Sequence, residues 1–105
     1  MRILIVNFEL EGLSLEEFES MCDELAPAFA AVPGLVAKTW LINHESGTVG
    51  GVYTFRDLAA LDGFRKSELF AAVGSNPNFV NIRATDFGIL EGPSTVTRGL
   101  AAALA

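Results

Sequence analysis

Scarcity limits what this chain can be. It has one cysteine, so no disulfide can close within it, and Cys22 falls in a helical pattern where it reads as a buried structural thiol. It has one histidine, and its carboxylates are scattered without ligand spacing, so no metal site is expected. Seven basic residues against thirteen acidic ones leave a formal charge of -6, which repels polyphosphate and excludes nucleic acid as a partner. No apolar run reaches the roughly 18 residues that a membrane span needs, and no basic amphipathic surface helix is present. The start, Met1-Arg2-Ile3-Leu4-Ile5-Val6, superficially resembles a signal peptide. Asn7 and Glu9 interrupt it and no small-residue cleavage site follows, so it reads as a first strand of a cytoplasmic protein. The glycine signatures of nucleotide sites and of acyl-transfer nucleophiles are missing as well.

What the chain does have is oil. Half of its 105 residues are hydrophobic and its mean hydropathy is +0.39. A body this small needs less apolar material than that for one core, so a second copy is expected to cover the excess, most simply in a homodimer. No linker or internal repeat divides it: residues 1–105 read as a single domain with a tail from 93 to 105.

The organising stretch runs from Pro33 to Phe55. Leu35 to Asn43 and Val49 to Phe55 are rich in β-branched and aromatic residues, and the polar turn His44-Glu45-Ser46-Gly47-Thr48 separates them, which is a hairpin signal. Before it, Arg2 to Leu10 is apolar on both faces and predicts a strand covered on both sides. Ser14-Leu15-Glu16-Glu17 has the form of a capping box and starts a helix to about Ala31, whose stripe Leu15, Phe18, Cys22, Leu25, Phe29 and Val32 faces a sheet. Pro27 is expected to kink or split that helix. After the hairpin, Asp57 caps one more helix, with Leu58, Leu61, Phe64, Leu69 and Val73 as its buried stripe. Phe79 to Leu90 reads as a long last strand, Gly92-Pro93 as a break and the alanine-rich end as a short helix that docks on another surface, the partner subunit for instance. The order is β-α-β-β-α-β, an α+β, ferredoxin-like fold with a four-stranded antiparallel sheet.

A few polar and aromatic side chains stand out against these apolar strands: Asn7, Trp40, Tyr53, Arg83 and Asp86, with His44 at the hairpin turn. An apolar cavity with a few convergent polar groups is the usual form of a small-molecule site. Trp40 and Tyr53 either fill the core or line such a pocket. Asn7 either satisfies backbone or contacts a ligand. Arg83 and Asp86 are either a structural ion pair or a catalytic one, though three residues apart on a strand they face opposite sides unless a bulge intervenes. His44 is the one side chain with an ordinary pKa near neutrality, set in what reads as a solvated turn. Lys38 reads as a snorkelling surface cation. The pair Gly50-Gly51 inside a strand marks a place where something needs room.

Pro33-Gly34-Leu35, then Lys38 and Trp40, followed by Gly50-Gly51-Val52-Tyr53-Thr54-Phe55, resembles the YdhR-like family of monooxygenases within the dimeric α+β barrel superfamily. The resemblance covers most of the chain. It implies a barrel closed at the dimer and a pocket between sheet and helices that takes a small aromatic or other apolar ligand. Relatives in the superfamily include oxygenases that act on phenols without any cofactor, and also isomerases and dehydratases. On the oxygenase reading His44, Tyr53 and Asn7 are the catalytic set, with His44 as base, and Trp40, Arg83 and Asp86 bind substrate. The alternatives are a non-catalytic binding or structural dimer module, and a lyase or isomerase with Asp86 as base. Thr48 stands where the family pattern leads one to expect a carboxylate, two places before the glycine pair.

Overall fold

Alternation along β1 (Arg2–Leu10) sends Leu4, Val6 and Phe8 to one face of a sheet, where they are buried, and Ile3, Ile5 and Asn7 to the other. The computed structural model describes residues 1–100. After β1 come α1 (Leu15–Ala30), β2 (Leu35–Ile42), β3 (Thr48–Phe55), α2 (Leu58–Arg65), α3 (Glu68–Ser75), β4 (Phe79–Gly88) and α4 (Glu91–Val96). Every neighbouring pair of strands is antiparallel, in the order β2-β3-β1-β4. That is the ferredoxin-like order expected from the sequence, with the hairpin where the polar turn placed it.

Helices cover one face of the sheet. Phe18 and Phe29 from α1, with Leu61 and Phe64 from α2, close over Leu4, Val6, Phe8, Val49, Tyr53 and Phe55 to form the core. The capping box forms as read: Ser14 Oγ accepts from the Glu17 amide and the Glu17 carboxylate accepts from the Ser14 amide. The opposite face carries Ile3, Ile5 and Asn7, and none of the buried core residues lies on it, so among the described residues the core covers β1 on one side and not on both.

Several boundaries differ from the sequence reading, each for a local reason. Pro27 does not split α1, because it lies in the last turn, where losing one amide costs a single hydrogen bond near a frayed end. The single second helix is two, since Ser67 caps a new N-terminus by accepting from the Phe70 amide. Gly92-Pro93 starts α4 instead of stopping the chain: in the first turn a proline gives up only an amide that has no intrahelical partner. β4 ends at Gly88, short of Leu90. It also carries a bulge, where Asn7 faces Arg83 but Glu9 faces Val80, with Asn81 at φ 55°. The extra residue lets both Phe79 and Ile82 reach the core. The alanine-rich end and its expected docking lie outside the described residues.

Candidate functional site

The register of the hairpin builds the site. Lys38 faces Tyr53, and Trp40 faces Gly51, so four helix-side positions of β2 and β3 form one patch beneath α1. From α1, Phe18, Cys22 and Phe29 come down onto it, and between them lies a void of about 40 Å³ that Trp40, Tyr53 and Lys38 all border. Two larger open grooves flank the same strand edge. One, of about 320 Å³, runs past Phe29, Lys38 and Trp40. The other, of about 500 Å³, runs past Phe18, Cys22 and Trp40.

Lys38 does not snorkel. Its ammonium turns inward and sits 3.5 Å from the ring centre of Phe29, 3.3 Å from that of Trp40 and 4.6 Å from that of Tyr53. The ring faces attract the cation, which offsets part of what burial costs it. Among the described residues no carboxylate pairs with it, and burial brings its pKa down to about 7, opposed weakly by Cys22. The glycine pair explains how the stem gets there. A Cβ on Gly51 would stand 2.8 Å from Lys38 Cε, so only glycine leaves the channel open. Gly50 makes room for something else, the Val6 carbonyl of β1, at φ 153°.

Burial raises the other two titrating groups of the patch. The Tyr53 phenol is 3% exposed and pushed well above its ordinary value, first by burial and then by Cys22, so it stays a neutral donor. The half-buried Cys22 thiol is likewise pushed up, again mainly by burial. The sequence reading makes it a buried thiol; instead it is half-buried and faces the void.

The remaining residues singled out from the sequence lie elsewhere. Asn7 points to the open face, where its Nδ2 is 3.5 Å from the Val49 carbonyl. On that face too, Arg83 donates to Glu9 Oε2 at 2.8 Å in an exposed ion pair. Asp86 is on the helix side at the sheet end and accepts from Arg2 at 2.9 Å and Arg65 at 3.1 Å. Arg83 and Asp86 are therefore not partners, because the bulge precedes both and leaves them on opposite faces. His44 is exposed on the hairpin turn and borders none of these spaces. Of the six, the structure brings together Trp40 and Tyr53. The residue missed was Lys38, and its signal was parity: it alternates with Trp40 and, across the turn, meets the glycine pair.

This fold defines a small α+β protein with helices on one face of a four-stranded antiparallel sheet and a recess under α1. The chain belongs to the family described as "Putative mono-oxygenase ydhR", whose model matches residues 3–100. Among solved structures it is similar to a mutant form of SnoaB, a cofactor-independent oxygenase from Streptomyces nogalater, at 22% identity and TM-score 0.67, over 86% of this chain and 94% of that one. It is also similar to MhuD, a heme-degrader from Mycobacterium tuberculosis with two hemes bound in its active site, at 17% identity and TM-score 0.69, over 86% and 96%. An antibiotic biosynthesis monooxygenase aligns at 16% identity and TM-score 0.69, over 86% and 99%. At these identities the likeness shows the fold alone. A comparison with curated proteins finds no match.

Proposed function

We propose that the chain is a monooxygenase that oxidises an aromatic, phenolic or similarly acidic carbon compound in the recess under α1, with no resident cofactor and as a homodimer. The observation that carries this reading is Lys38: a lysine set among three aromatic rings at the edge of a void, with no carboxylate partner among the described residues. A phenol entering beside it finds a base when the amine is neutral and a counter-ion once the proton has moved. Phe29 and Trp40 supply ring faces for stacking, and the neutral Tyr53 hydroxyl donates to a ligand oxygen. The bound anion then reduces O2 directly; for a methylene between aromatic rings, one oxygen atom ends in a new carbonyl and the other leaves as water. Desolvation and orientation are the protein's contribution.

A heme fits this chain poorly. The one histidine lies on the exposed turn and borders neither the void nor the grooves, so no imidazole reaches the recess to ligate its iron. The dimer is supported by the uncovered face, where Ile3, Ile5, Val52 and Leu41 share a surface with Phe87, which is 50% exposed. No described helix is long and apolar enough to cross a membrane. A second reading, a binding module without turnover, is favoured by the grooves of about 320 and 500 Å³ beside the void, which are of small-ligand size but open to the water that turnover of a reactive anion must exclude. Oxygen uptake by the purified protein with a panel of anthrones and dihydroxynaphthalenes separates the two. Uptake that disappears in Lys38→Met supports the oxygenase, and ligand-induced quenching of Trp40 fluorescence without uptake supports the binder.

A further inference from the structure

Lys38 stands where two spaces meet. It borders the inner void and also the outer groove of about 320 Å³ between α1 and the edge strand β2, with Phe29 and Trp40 common to both. Ala26, Ala30, Leu35 and Val36 line that open groove with apolar side chains and Lys38 borders it, which makes it a space of small-ligand size beside the amine-bearing side chain. The stem is held in place by the cleft over Gly51 and by ring faces on Phe29 and Trp40. Among the described residues Nζ makes no ion pair. The titratable groups that face it are Cys22 from α1 and Tyr53 from β3, both pushed upward by burial and so neutral near pH 7. A desolvated lysine in an apolar pocket is the kind of amine that condenses with carbonyl compounds. The other lysine of the chain, Lys66, is exposed at the C-cap of α2 and has none of this enclosure.

We infer that Lys38 captures an aldehyde or ketone with an apolar body from the outer groove as a Schiff base. The nitrogen lone pair attacks the carbonyl carbon, and the C–N bond forms while the π pair moves onto oxygen, which takes a proton. The carbinolamine then loses its hydroxyl and a nitrogen proton as water. One carbonyl and one amine give one imine and one water, with no change of oxidation state. Burial favours the free amine at neutral pH. Cys22, kept as the thiol by the same burial, leaves the carbonyl carbon to nitrogen. The inference shares the recess with the oxygenase reading but does not depend on it.

The test is reductive trapping. The folded chain is incubated at pH 7 with benzaldehyde and sodium cyanoborohydride, and the benzylated sites are read by peptide mass mapping over time. Each unit by which an amine's pKa falls toward the working pH raises its free-base fraction tenfold, so Lys38 is expected to label at least about tenfold faster than Lys66. The comparison lies within one folded chain and needs no variant. In Lys38→Arg, which keeps the charge, the fast adduct should vanish and the slow labelling of Lys66 persist. A ratio of Lys38 to Lys66 labelling below about tenfold overturns the inference. Oxygen uptake without a trapped adduct overturns this proposal alone, and a trapped adduct without uptake by any substrate overturns the oxygenase alone.

Discussion

Replacing Lys38 by methionine removes a titrating group while keeping a flexible stem over Gly51. In the unfolded chain the amine titrates near 10.5 and in the folded chain near 7. Between those values the unfolded state holds a proton that the folded state has released, so stability rises with pH through that interval. One proton gives at most about 1.4 kcal/mol per pH unit, hence about 2.7 kcal/mol from pH 7 to pH 9. Two effects reduce it. The side chain is partly exposed, and the ring faces of Phe29, Trp40 and Tyr53 favour the ammonium. A rise of about 1–2 kcal/mol over that interval is therefore expected. Above pH 9 Cys22, and then Tyr53, oppose the rise, because both are raised in the folded state and the unfolded chain loses those protons first; the sign turns only above about 10.5, where Lys38 has lost its proton in both states. The measurement is urea unfolding of wild type and Lys38→Met at several pH values from 6 to 9. The difference between the two curves cancels the other groups. Lys38→Met should be the more stable at pH 6, and its advantage should shrink by about 1–2 kcal/mol by pH 9. A difference that does not change with pH would show that Lys38 titrates as a solvated surface amine, and both the base role and the Schiff-base inference would fall with it.

The glycine pair should split by mechanism. Gly50→Ala drives a Cβ into the Val6 carbonyl at a backbone angle that L residues avoid, and should cost several kcal/mol in urea unfolding. Gly51→Ala meets the flexible end of the Lys38 stem at 2.8 Å, so it should cost less but expel the ammonium and abolish the pH dependence described above. Ser14→Ala removes the cap of α1 and should lower stability by about 1 kcal/mol without altering oxygen uptake or benzaldehyde trapping. Ile5→Glu places a charge in the middle of the uncovered sheet face and should convert a dimer to monomer in sedimentation at micromolar concentration. A wild-type monomer under the same conditions would remove the dimer from the proposal.

Most of the fold could be read along the chain because local patterns carry it. The apolar run of β1, the capping box at Ser14 and the polar turn after Asn43 each constrain their own few residues, and the tertiary structure leaves those constraints in place. The boundary differences arose where a local signal has two outcomes. A proline near a helix end can stop a helix or sit harmlessly in a terminal turn, as Pro27 and Pro93 do.

The site was legible only in part. Trp40 and Tyr53 were both singled out, and they share a side because Lys38, two residues before Trp40, faces Tyr53 across the hairpin, which strand parity gives only once the register is known. Asn7 could not be excluded in that way, because its face depends on which side of β1 the helices cover, and they arrive from distant parts of the sequence. Lys38 shows the division most clearly. Its position on β2 was fixed by the sequence, but whether an edge-strand lysine reaches to water or turns inward depends on the glycine opposite and the Phe29 ring from α1. Backbone alternation sets which face a side chain starts from, whereas the desolvation that changes an amine's chemistry is a sum over neighbours that only the packed chain assembles.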